Sequence, residues 1–355
     1  MRTGGDLTAP SLPASWYYVC GSRALRPGRL TTVRLLDDTL VIYRALSGRV
    51  HAVHSRCTHM GASLSAATVL GEDLRCAMHH RAYVPEGSGA NHAGCLRQRA
   101  YPVAEKNGSV FVFAGDLATV DCPDAADGDR DAVVVSGRAH ALTTSWTTLI
   151  CNAFDIEHMQ AVHNRAMKGP PDAAVVSRQL LELRYVSRVT GTGLSDRIMK
   201  ALSNDTIRVT IRCWGGTILT IDSRVGRTVS HLMLCITPTP TGTTVTPLIA
   251  VPRGSIPGAA AVRAHASRWL FLTFLGRDLR PLENMRLNLV NATNARGPLG
   301  VCATWLTELQ EGRIAPPADD EGARGQIQNR ASDLQKGATF PMIADARTGS
   351  PRFPA

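Results

Sequence analysis

The stretch CTHMGASLSAATVLGEDLRCAMHH, residues 57–80, decides how the rest of this sequence is interpreted. It contains a C-x-H motif at residues 57–59 and a C-x-x-H motif at residues 76–79, so each motif offers one thiolate and one imidazole. Zinc sites usually place two cysteines on one tight turn, because both thiolates then face the same ion. The mixed pairs instead suit a cluster of two irons, in which one iron takes both thiolates and the other takes both imidazoles.

The two motifs and the sixteen residues between them resemble the ligand pattern of a Rieske [2Fe–2S] centre. The resemblance implies that the cysteines hold one iron and the histidines hold the other. It also implies a reduction potential above that of an all-cysteine cluster, because imidazole replaces thiolate on one iron. The implied cluster ligands are Cys57, His59, Cys76 and His79.

The second loop departs from the usual C-P-[YF]-H-G-W-x-[YF] pattern at four positions. Ala77 replaces the proline, Met78 the aromatic residue, His80 the glycine and Arg81 the tryptophan, whereas Tyr83 keeps its aromatic position. His80 matches no ligand position and is interpreted as an ordinary histidine. These residues shield a cluster and donate its hydrogen bonds, so the departures affect the expected potential rather than the ligand set.

Composition bounds the function classes of the chain, whose 355 residues are enough for two domains. The net charge is +10, but no block of basic residues occurs, so the sequence favours an acidic protein partner over a nucleic acid. A basic surface that binds no partner is an equally favoured alternative. Apolar runs such as WLFLTFL, residues 269–275, are too short for a membrane span, and the N-terminus has no apolar signal segment. Nine scattered cysteines argue against a disulfide framework and favour the cytoplasm.

The residues around the two motifs indicate an N-terminal domain of short strands over residues 14–118, with a hairpin signal at Asn107-Gly108. Residues 119–138 are interpreted as a linker, because aspartate, proline and glycine are frequent there. Residues 313–355 are poor in apolar side chains and are predicted to form a surface-draped or disordered tail.

Residues 139–312 indicate a second domain. A helical segment, WTTLICNAFDIEHMQAVHNRA at residues 146–166, precedes strand-like runs between residues 180 and 253. Residues 259–291 again have helical composition and period. The order of helix, antiparallel strands and long helix is typical of an α+β domain.

Asp155, His158 and His163 follow one another along the first helical segment. On an ideal helix Asp155 and His158 lie about 60° apart, on one face, whereas His158 and His163 lie about 140° apart. The two histidines can therefore share one ion only if the helix ends, widens or kinks between them, near Gln160 and Ala161.

This D-x-x-H-x4-H pattern, downstream of the cluster motif, resembles the mononuclear iron motif of the Rieske non-haem iron oxygenases. The resemblance covers about residues 15–290. It implies an N-terminal all-β Rieske domain followed by a catalytic helix-grip domain with an antiparallel sheet. It also implies two cofactors, a Rieske [2Fe–2S] cluster and a mononuclear Fe(II), because ferrous oxygenase sites commonly use two histidines and one carboxylate.

The iron ligands that the resemblance implies are His158, His163 and an acidic residue of the long C-terminal helix. Asp278, in the stretch GRDLRPLENM, is the favoured third ligand because it follows the apolar run of residues 269–275. Glu283 is the competing third ligand.

The resemblance gives Asp155 and Asn152 other roles. It implies that Asp155 hydrogen-bonds a cluster histidine of one subunit and an iron histidine of the next, which orients both imidazoles and offers a path for electrons. Such a bridge implies a homotrimer. Asn152 is expected near the iron.

The implied function is that of a terminal oxygenase, which uses O2 to hydroxylate, demethylate, N-oxygenate or oxidatively cyclise a small hydrophobic organic substrate. A looser likeness is to tailoring oxygenases of secondary metabolism, of the aminopyrrolnitrin oxygenase type. No nucleotide-binding or flavin motif occurs, so a separate NAD(P)H-dependent reductase or ferredoxin must supply electrons. Two alternatives stay open: a Rieske electron-transfer protein with a vestigial iron site and a ligand-binding domain, and a zinc-stabilised ligand-binding protein without redox activity.

Overall fold

A computed structural model of the chain describes residues 13–35, 38–85, 96–129, 131–226, 228–253 and 258–311. The predicted α+β architecture is confirmed, since a region of strands precedes a region in which helices pack on an antiparallel sheet. The predicted tail, residues 313–355, lies outside the described residues. Among the helices of the described part, none is long and apolar enough to span a bilayer.

The N-terminal region is built from short strands that form three small sheets. The strands are β1 (Trp16–Gly21), β2 (Leu30–Leu35), β3 (Asp38–Arg44), β4 (Val50–His54), β5 (Thr68–Leu70), β6 (Asp73–Arg75), β7 (Ala82–Pro85), β8 (Leu96–Gln98), β9 (Ala100–Tyr101), β10 (Val103–Lys106) and β11 (Ser109–Phe113). Their spatial orders are β1-β11-β10, β2-β3-β4-β9 and β5-β6-β7-β8.

Strand β3 anchors this region because both of its faces are buried. Leu40 and Ile42 belong to the apolar core on one side of the strand. Val41 and Tyr43 point the other way, into the core that also contains Cys57 and Cys76. Successive side chains of a strand alternate between its two faces, so a continuous apolar run fits a strand with a core on each side. The two cysteines therefore share a core with a strand that is buried on both faces.

The predicted hairpin at Asn107-Gly108 is confirmed. Asn107 has φ 51° and Gly108 has φ 69°, and the two residues join β10 to β11. Two consecutive positive φ angles are required by a type I′ turn, whose twist matches that of the flanking strands.

The second region contains one large antiparallel sheet. Its strands are β12 (Val133–Ser136), β13 (His140–Leu142), β14 (Arg165–Met167), β15 (Asp172–Ser177), β16 (Leu180–Val189), β17 (Ile207–Trp214), β18 (Ile218–Val225), β19 (Thr228–Thr239) and β20 (Gly242–Val251). The central order is β12-β20-β19-β18-β17-β16-β14, while β13 also pairs with β20 and β15 with β16. The five strand-like runs predicted between residues 180 and 253 correspond to β16–β20.

The helices are α1 (Trp146–Phe154), α2 (Ile156–Ala161), α3 (Leu194–Ser203), α4 (Ala259–Leu282), α5 (Leu289–Ala292) and α6 (Pro298–Gln310). Ile150 of α1 and Trp305 of α6 share a buried core with Leu181 and Ile211 of the sheet. The N-terminal region packs elsewhere on the sheet, where Phe113 shares a core with Met233. The sheet thus lies between the N-terminal region on one face and helices α1 and α6 on the other.

The structure corrects the sequence analysis at several boundaries. Residues 133–136 lie within the predicted linker, 119–138, but form strand β12, because a run of three valines pairs with β20. The single helix expected over residues 259–291 ends at Leu282, one residue after Pro281, which removes a backbone donor from the last turn. Helices α3 and α6 were not predicted at all.

Candidate cluster and metal centres

The two cysteine loops close by the same backbone hydrogen bond. The carbonyl of Cys57 accepts from the N–H of Gly61 at 2.8 Å, and the carbonyl of Cys76 accepts from the N–H of His80 at 3.0 Å. The accepting carbonyl lies four residues before the donor in both loops. Gly61 has φ 73° and His80 has φ 55°, so each loop turns through a left-handed residue at the same position. His80, interpreted from sequence as an ordinary histidine, therefore takes over the conformation for which glycine is usual.

The side chains of the two loops meet in pairs. Both thiols are buried, and Cys76 hydrogen-bonds Cys57. The rings of His59 and His79 are exposed, with centroids 5.0 Å apart and planes at 77°. Two thiols on the inside and two neighbouring imidazoles on the outside form the donor set that a Rieske cluster requires.

Tyr83 adds a fifth polar group to this site. Its hydroxyl oxygen lies 2.9 Å from Cys57 Sγ. Burial by itself would raise the pKa of Cys57, but hydrogen bonds from Tyr83 and from the backbone of His59 and Met60 outweigh burial and lower that pKa. Burial and the contact with Cys57 raise the pKa of Tyr83 to about 12, so the phenol stays protonated and donates to the sulfur.

Substitution of the two left-handed residues, Gly61 and His80, should change the free energy of unfolding in opposite directions. An added Cβ at Gly61 meets no atom within 4 Å, so Gly61→Ala should cost only backbone strain, about 1–2 kcal/mol. His80→Gly should stabilise the folded state by about 0.5 kcal/mol. Glycine relieves the backbone strain of the positive φ, but it also increases the conformational entropy of the unfolded chain. Denaturant unfolding, followed by the visible absorbance of the cluster, measures both variants. Shifts of the same sign would contradict this account of the loops.

The helical segment that carries Asp155 and His158 is broken at two places. Asp155 ends α1 and caps α2, since its Oδ1 accepts from the backbone N–H groups of Glu157 at 2.9 Å and His158 at 3.1 Å. Helix α2 then ends at Ala161, and β14 begins four residues later. The predicted interruption between His158 and His163 is thereby confirmed, and it lets both histidines turn toward one point.

Three side chains converge at that point. His158 Nε2 lies 2.7 Å from Asp278 Oδ1, His163 Nε2 lies 2.9 Å from the same oxygen, and the two nitrogens are 3.1 Å apart. His163 is 0% exposed and Asp278 is 6% exposed. Ligand bonds of about 2.1 Å at right angles span edges of about 3 Å, so this triangle fits one face of an octahedral ion. Two imidazoles and one carboxylate are the donor set of non-haem ferrous sites.

Protonation at the triangle follows from burial and from these contacts. Burial lowers the pKa of His163 and outweighs the opposing hydrogen bond to Asp278. For Asp278 the balance is reversed, since burial would raise its pKa but the hydrogen bonds from His158 and His163 hold the pKa below its ordinary value. A neutral imidazole beside an ionised carboxylate is the state that binds a metal.

The remaining predicted residues, Asn152, Glu283 and Asp155, differ in their contacts with the triangle. Asn152 Nδ2 lies 3.4 Å from His158 Nε2, so Asn152 is adjacent to one corner of the triangle. Glu283 is exposed just after the end of α4 and is not part of the triangle. Asp155 contacts the triangle through the backbone N–H of His158, which donates to its Oδ1.

The chain resembles known proteins in both regions. Residues 15–102 match the model of the Rieske [2Fe-2S] domain. The iron-sulfur subunit of the toluene-4-sulfonate monooxygenase system from Comamonas testosteroni is 26% identical over 190 residues, which is 50% of this chain and 52% of that protein. Aminopyrrolnitrin oxygenase from Pseudomonas fluorescens is 29% identical over 168 residues, which is 43% of this chain and 46% of that protein.

The solved structure of apo dicamba monooxygenase covers 86% of this chain and 99% of its own, with a TM-score of 0.60 and 18% identity. Residues 15–102 therefore belong to the Rieske [2Fe-2S] domain family, and the chain shares its fold with dicamba monooxygenase. These matches and the triangle of His158, His163 and Asp278 support two cofactors, a Rieske cluster and a mononuclear iron. The alignments span about half the length of the curated relatives.

Sequence analysis missed a group of residues behind the triangle of His158, His163 and Asp278. The ring of Phe274 is stacked on that of His163, and the guanidinium of Arg165 lies over Phe274. Arg165 in turn faces Asp196. The spacing of Phe274 four residues before Asp278 was the one available signal, because positions four apart share a helix face.

We expect Tyr83→Phe to lower the reduction potential of the cluster. The phenol donates to Cys57 Sγ at 2.9 Å, and such a bond is stronger when the cluster carries the extra electron. We expect this hydrogen bond to stabilise the reduced cluster relative to the oxidised cluster by about 1.4 kcal/mol. Its removal then lowers the potential by about 60 mV for a one-electron couple. Redox titration of the visible spectrum measures the shift. Tyr43→Phe is the matched control, since Tyr43 is buried in the same core but donates to the carbonyl of Glu72, and its potential should stay at the wild-type value.

Proposed function

We propose that this chain is the terminal oxygenase component of a Rieske oxygenase system, with a Rieske domain at residues 14–118 and a catalytic domain at residues 139–312. The observation that carries the proposal is the buried triangle of His158, His163 and Asp278, with edges of 2.7–3.1 Å. A vestigial iron site would be expected to have lost a ligand or to be filled by an apolar side chain. The intact triangle favours an oxygenase over an electron-transfer protein.

The cofactors are assigned to the residues already described. The proposed cluster ligands are Cys57, His59, Cys76 and His79, and the proposed iron ligands are His158, His163 and Asp278. When bound, the cluster supplies single electrons and the ferrous ion supplies open positions for dioxygen. The buried carboxylate of Asp278 offsets positive charge at the site, and the amide of Asn152 is placed to hydrogen-bond whatever enters beside His158.

We infer that electrons pass between subunits of a homotrimer through Asp155. The imidazoles of His59 and His79 are exposed, and beside them Met60 and Met78 are 73% and 65% exposed. Exposed apolar side chains around a reactive group support contact with another protein surface. Asp155 is half-buried and lies directly before helix α2, and its second carboxylate oxygen makes no hydrogen bond to the described residues, which would leave it to a partner subunit.

The proposed substrate is a small hydrophobic organic molecule that is hydroxylated, demethylated, N-oxygenated or oxidatively cyclised, in secondary metabolism. Support comes from the apolar core against which α1 packs, and from relatives named for aminopyrrolnitrin and toluene-4-sulfonate. A separate NAD(P)H-dependent reductase or ferredoxin is the proposed electron donor, in the cytoplasm. A net charge of +10 suits an acidic donor of this kind.

Iron content and oxygen uptake test the proposal. The oxygenase should hold three irons per chain, two in the cluster and one at the triangle, and should consume O2 only with a surrogate reductase and a suitable aromatic or heterocyclic compound. Two irons per chain and no substrate-dependent uptake would instead identify an electron-transfer protein. A colourless protein with bound zinc would refute both assignments.

A further inference from the structure

The orientation of His163 needs an explanation, because its second ring nitrogen makes no hydrogen bond to the described part of the chain. Among the described residues, Nδ1 of His163 is buried and has no partner. Metal-binding histidines almost always donate from this nitrogen to a carboxylate, carbonyl or water, which fixes the ring plane. Nε2 of His163 faces Asp278 and His158, but contacts at one atom leave the ring free to turn. Some other contact must set the ring plane.

Phe274 supplies that contact. Its ring is stacked on the imidazole of His163 with centroids 3.6 Å apart and planes at 9°. Phe274 lies four residues before Asp278 on α4, so one helix face presents both the carboxylate ligand and the ring that holds a histidine ligand. The face of an aromatic ring carries negative potential and attracts cationic groups. An imidazole that donates electrons to a metal is poorer in electrons, so stacking favours the metal-bound state.

Arg165 and Asp196 hold Phe274 from behind. The guanidinium carbon of Arg165 lies over the Phe274 ring, 5.6 Å from its centroid, and Arg165 is only 7% exposed. An unpaired buried guanidinium would repel a metal cation, but Asp196 lies 3.6 Å from Arg165. Asp196 is 2% exposed and also accepts a hydrogen bond of 2.9 Å from Arg277, the residue that precedes Asp278 on α4. A single carboxylate thus connects β14, which follows His163, to α4, which carries Asp278.

We propose that Phe274, Arg165 and Asp196 form a positioning column that fixes the ring plane of His163 and slows release of the ferrous ion. The inference rests on the proposed function, because it assigns these residues to the same iron site. They are positioning residues, since they act through His163 and do not touch the metal.

The test compares release of ferrous ion from full-length, iron-loaded protein. Under anaerobic conditions a ferrous chelator such as bipyridine captures released iron, while the visible spectrum reports that the cluster is intact. Phe274→Leu should release the mononuclear iron about 10-fold faster than wild type, and Phe274→Tyr, which keeps the ring, should restore the wild-type rate. Phe271→Leu is the matched control on α4, because Phe271 packs against the apolar core instead, and its rate should match wild type.

A spectroscopic readout separates positioning from general stability. The nitric oxide adduct of the ferrous site has an EPR spectrum that reports ligand geometry, and it should change in Phe274→Leu but not in Phe271→Leu. If wild type holds no third iron, the proposed function itself fails. If wild type holds it and Phe274→Leu releases it at the wild-type rate, the positioning column is wrong. Should Phe274→Leu not fold, Arg165→Met replaces it, with about 10-fold faster release expected and a wild-type rate overturning the proposal.

Discussion

Replacing Asp278 with alanine is expected to remove the mononuclear iron and all substrate oxidation while leaving the Rieske spectrum unchanged. Asp278 Oδ1 is shared between His158 Nε2 at 2.7 Å and His163 Nε2 at 2.9 Å, so it is one corner of the triangle. It is also the only carboxylate in that triangle, within the described residues, to offset the charge of a ferrous ion. Loss of a direct ligand should weaken iron binding by more than the 10-fold to 100-fold typical of outer contacts.

Iron analysis after gel filtration measures the effect, with two irons per chain expected for Asp278→Ala and three for wild type. Asp278→Asn serves as a nearly isosteric second variant, which removes the charge without leaving a cavity between two buried imidazoles. Glu283→Ala is the matched control, because Glu283 is exposed beyond the end of α4. If Glu283→Ala loses the iron and Asp278→Ala keeps it, the third ligand has to be moved to Glu283.

The cluster loops could be predicted from sequence because their geometry is local. Each motif sets its own turn, and the carbonyl-to-amide bond that closes it spans only four residues. The break between His158 and His163 was predictable for the same reason, since a spacing of five residues does not fit one helix face. Two other local signals were overlooked in the sequence. Pro281 lies where α4 stops, although the helix was expected to continue to residue 291, and Gly297-Pro298 marks the start of α6.

The choice between Asp278 and Glu283 depends on how α4 lies against α2, which no local pattern specifies. The positioning column is less accessible still, because Phe274, Arg165 and Asp196 come from α4, β14 and α3. Each residue alone has an ordinary interpretation. Phe274 is an apolar residue of a helix, Arg165 is a cation in a strand, and Asp196 is a carboxylate in the first turn of a helix. Only tertiary packing brings the three together, so sequence reasoning from single segments could not find them.

Replacing Asp155 with asparagine is expected to slow turnover strongly while keeping both cofactors. Asp155 Oδ1 caps α2 by accepting from the backbone of Glu157 and His158, and asparagine caps helices about as well as aspartate. The position of His158 should therefore be retained, together with the third iron and the oligomer. The variant lacks the negative charge that would orient two imidazole N–H groups across a subunit boundary. Turnover should fall by about 100-fold, at the upper end of the range for contacts of this kind.

Single-turnover rapid mixing distinguishes this role from a structural one. In wild type the reduced cluster should reoxidise when substrate and O2 are added, whereas in Asp155→Asn it should stay reduced although the iron is in place. Asp155→Ala separates the two roles of the residue, because it removes the cap as well and should also lower stability by about 1 kcal/mol. If Asp155→Asn loses its mononuclear iron while the cluster reoxidises normally, Asp155 is an iron ligand, and the electron path must run elsewhere. If iron, reoxidation and turnover are all retained, Asp155 serves only as the cap of α2.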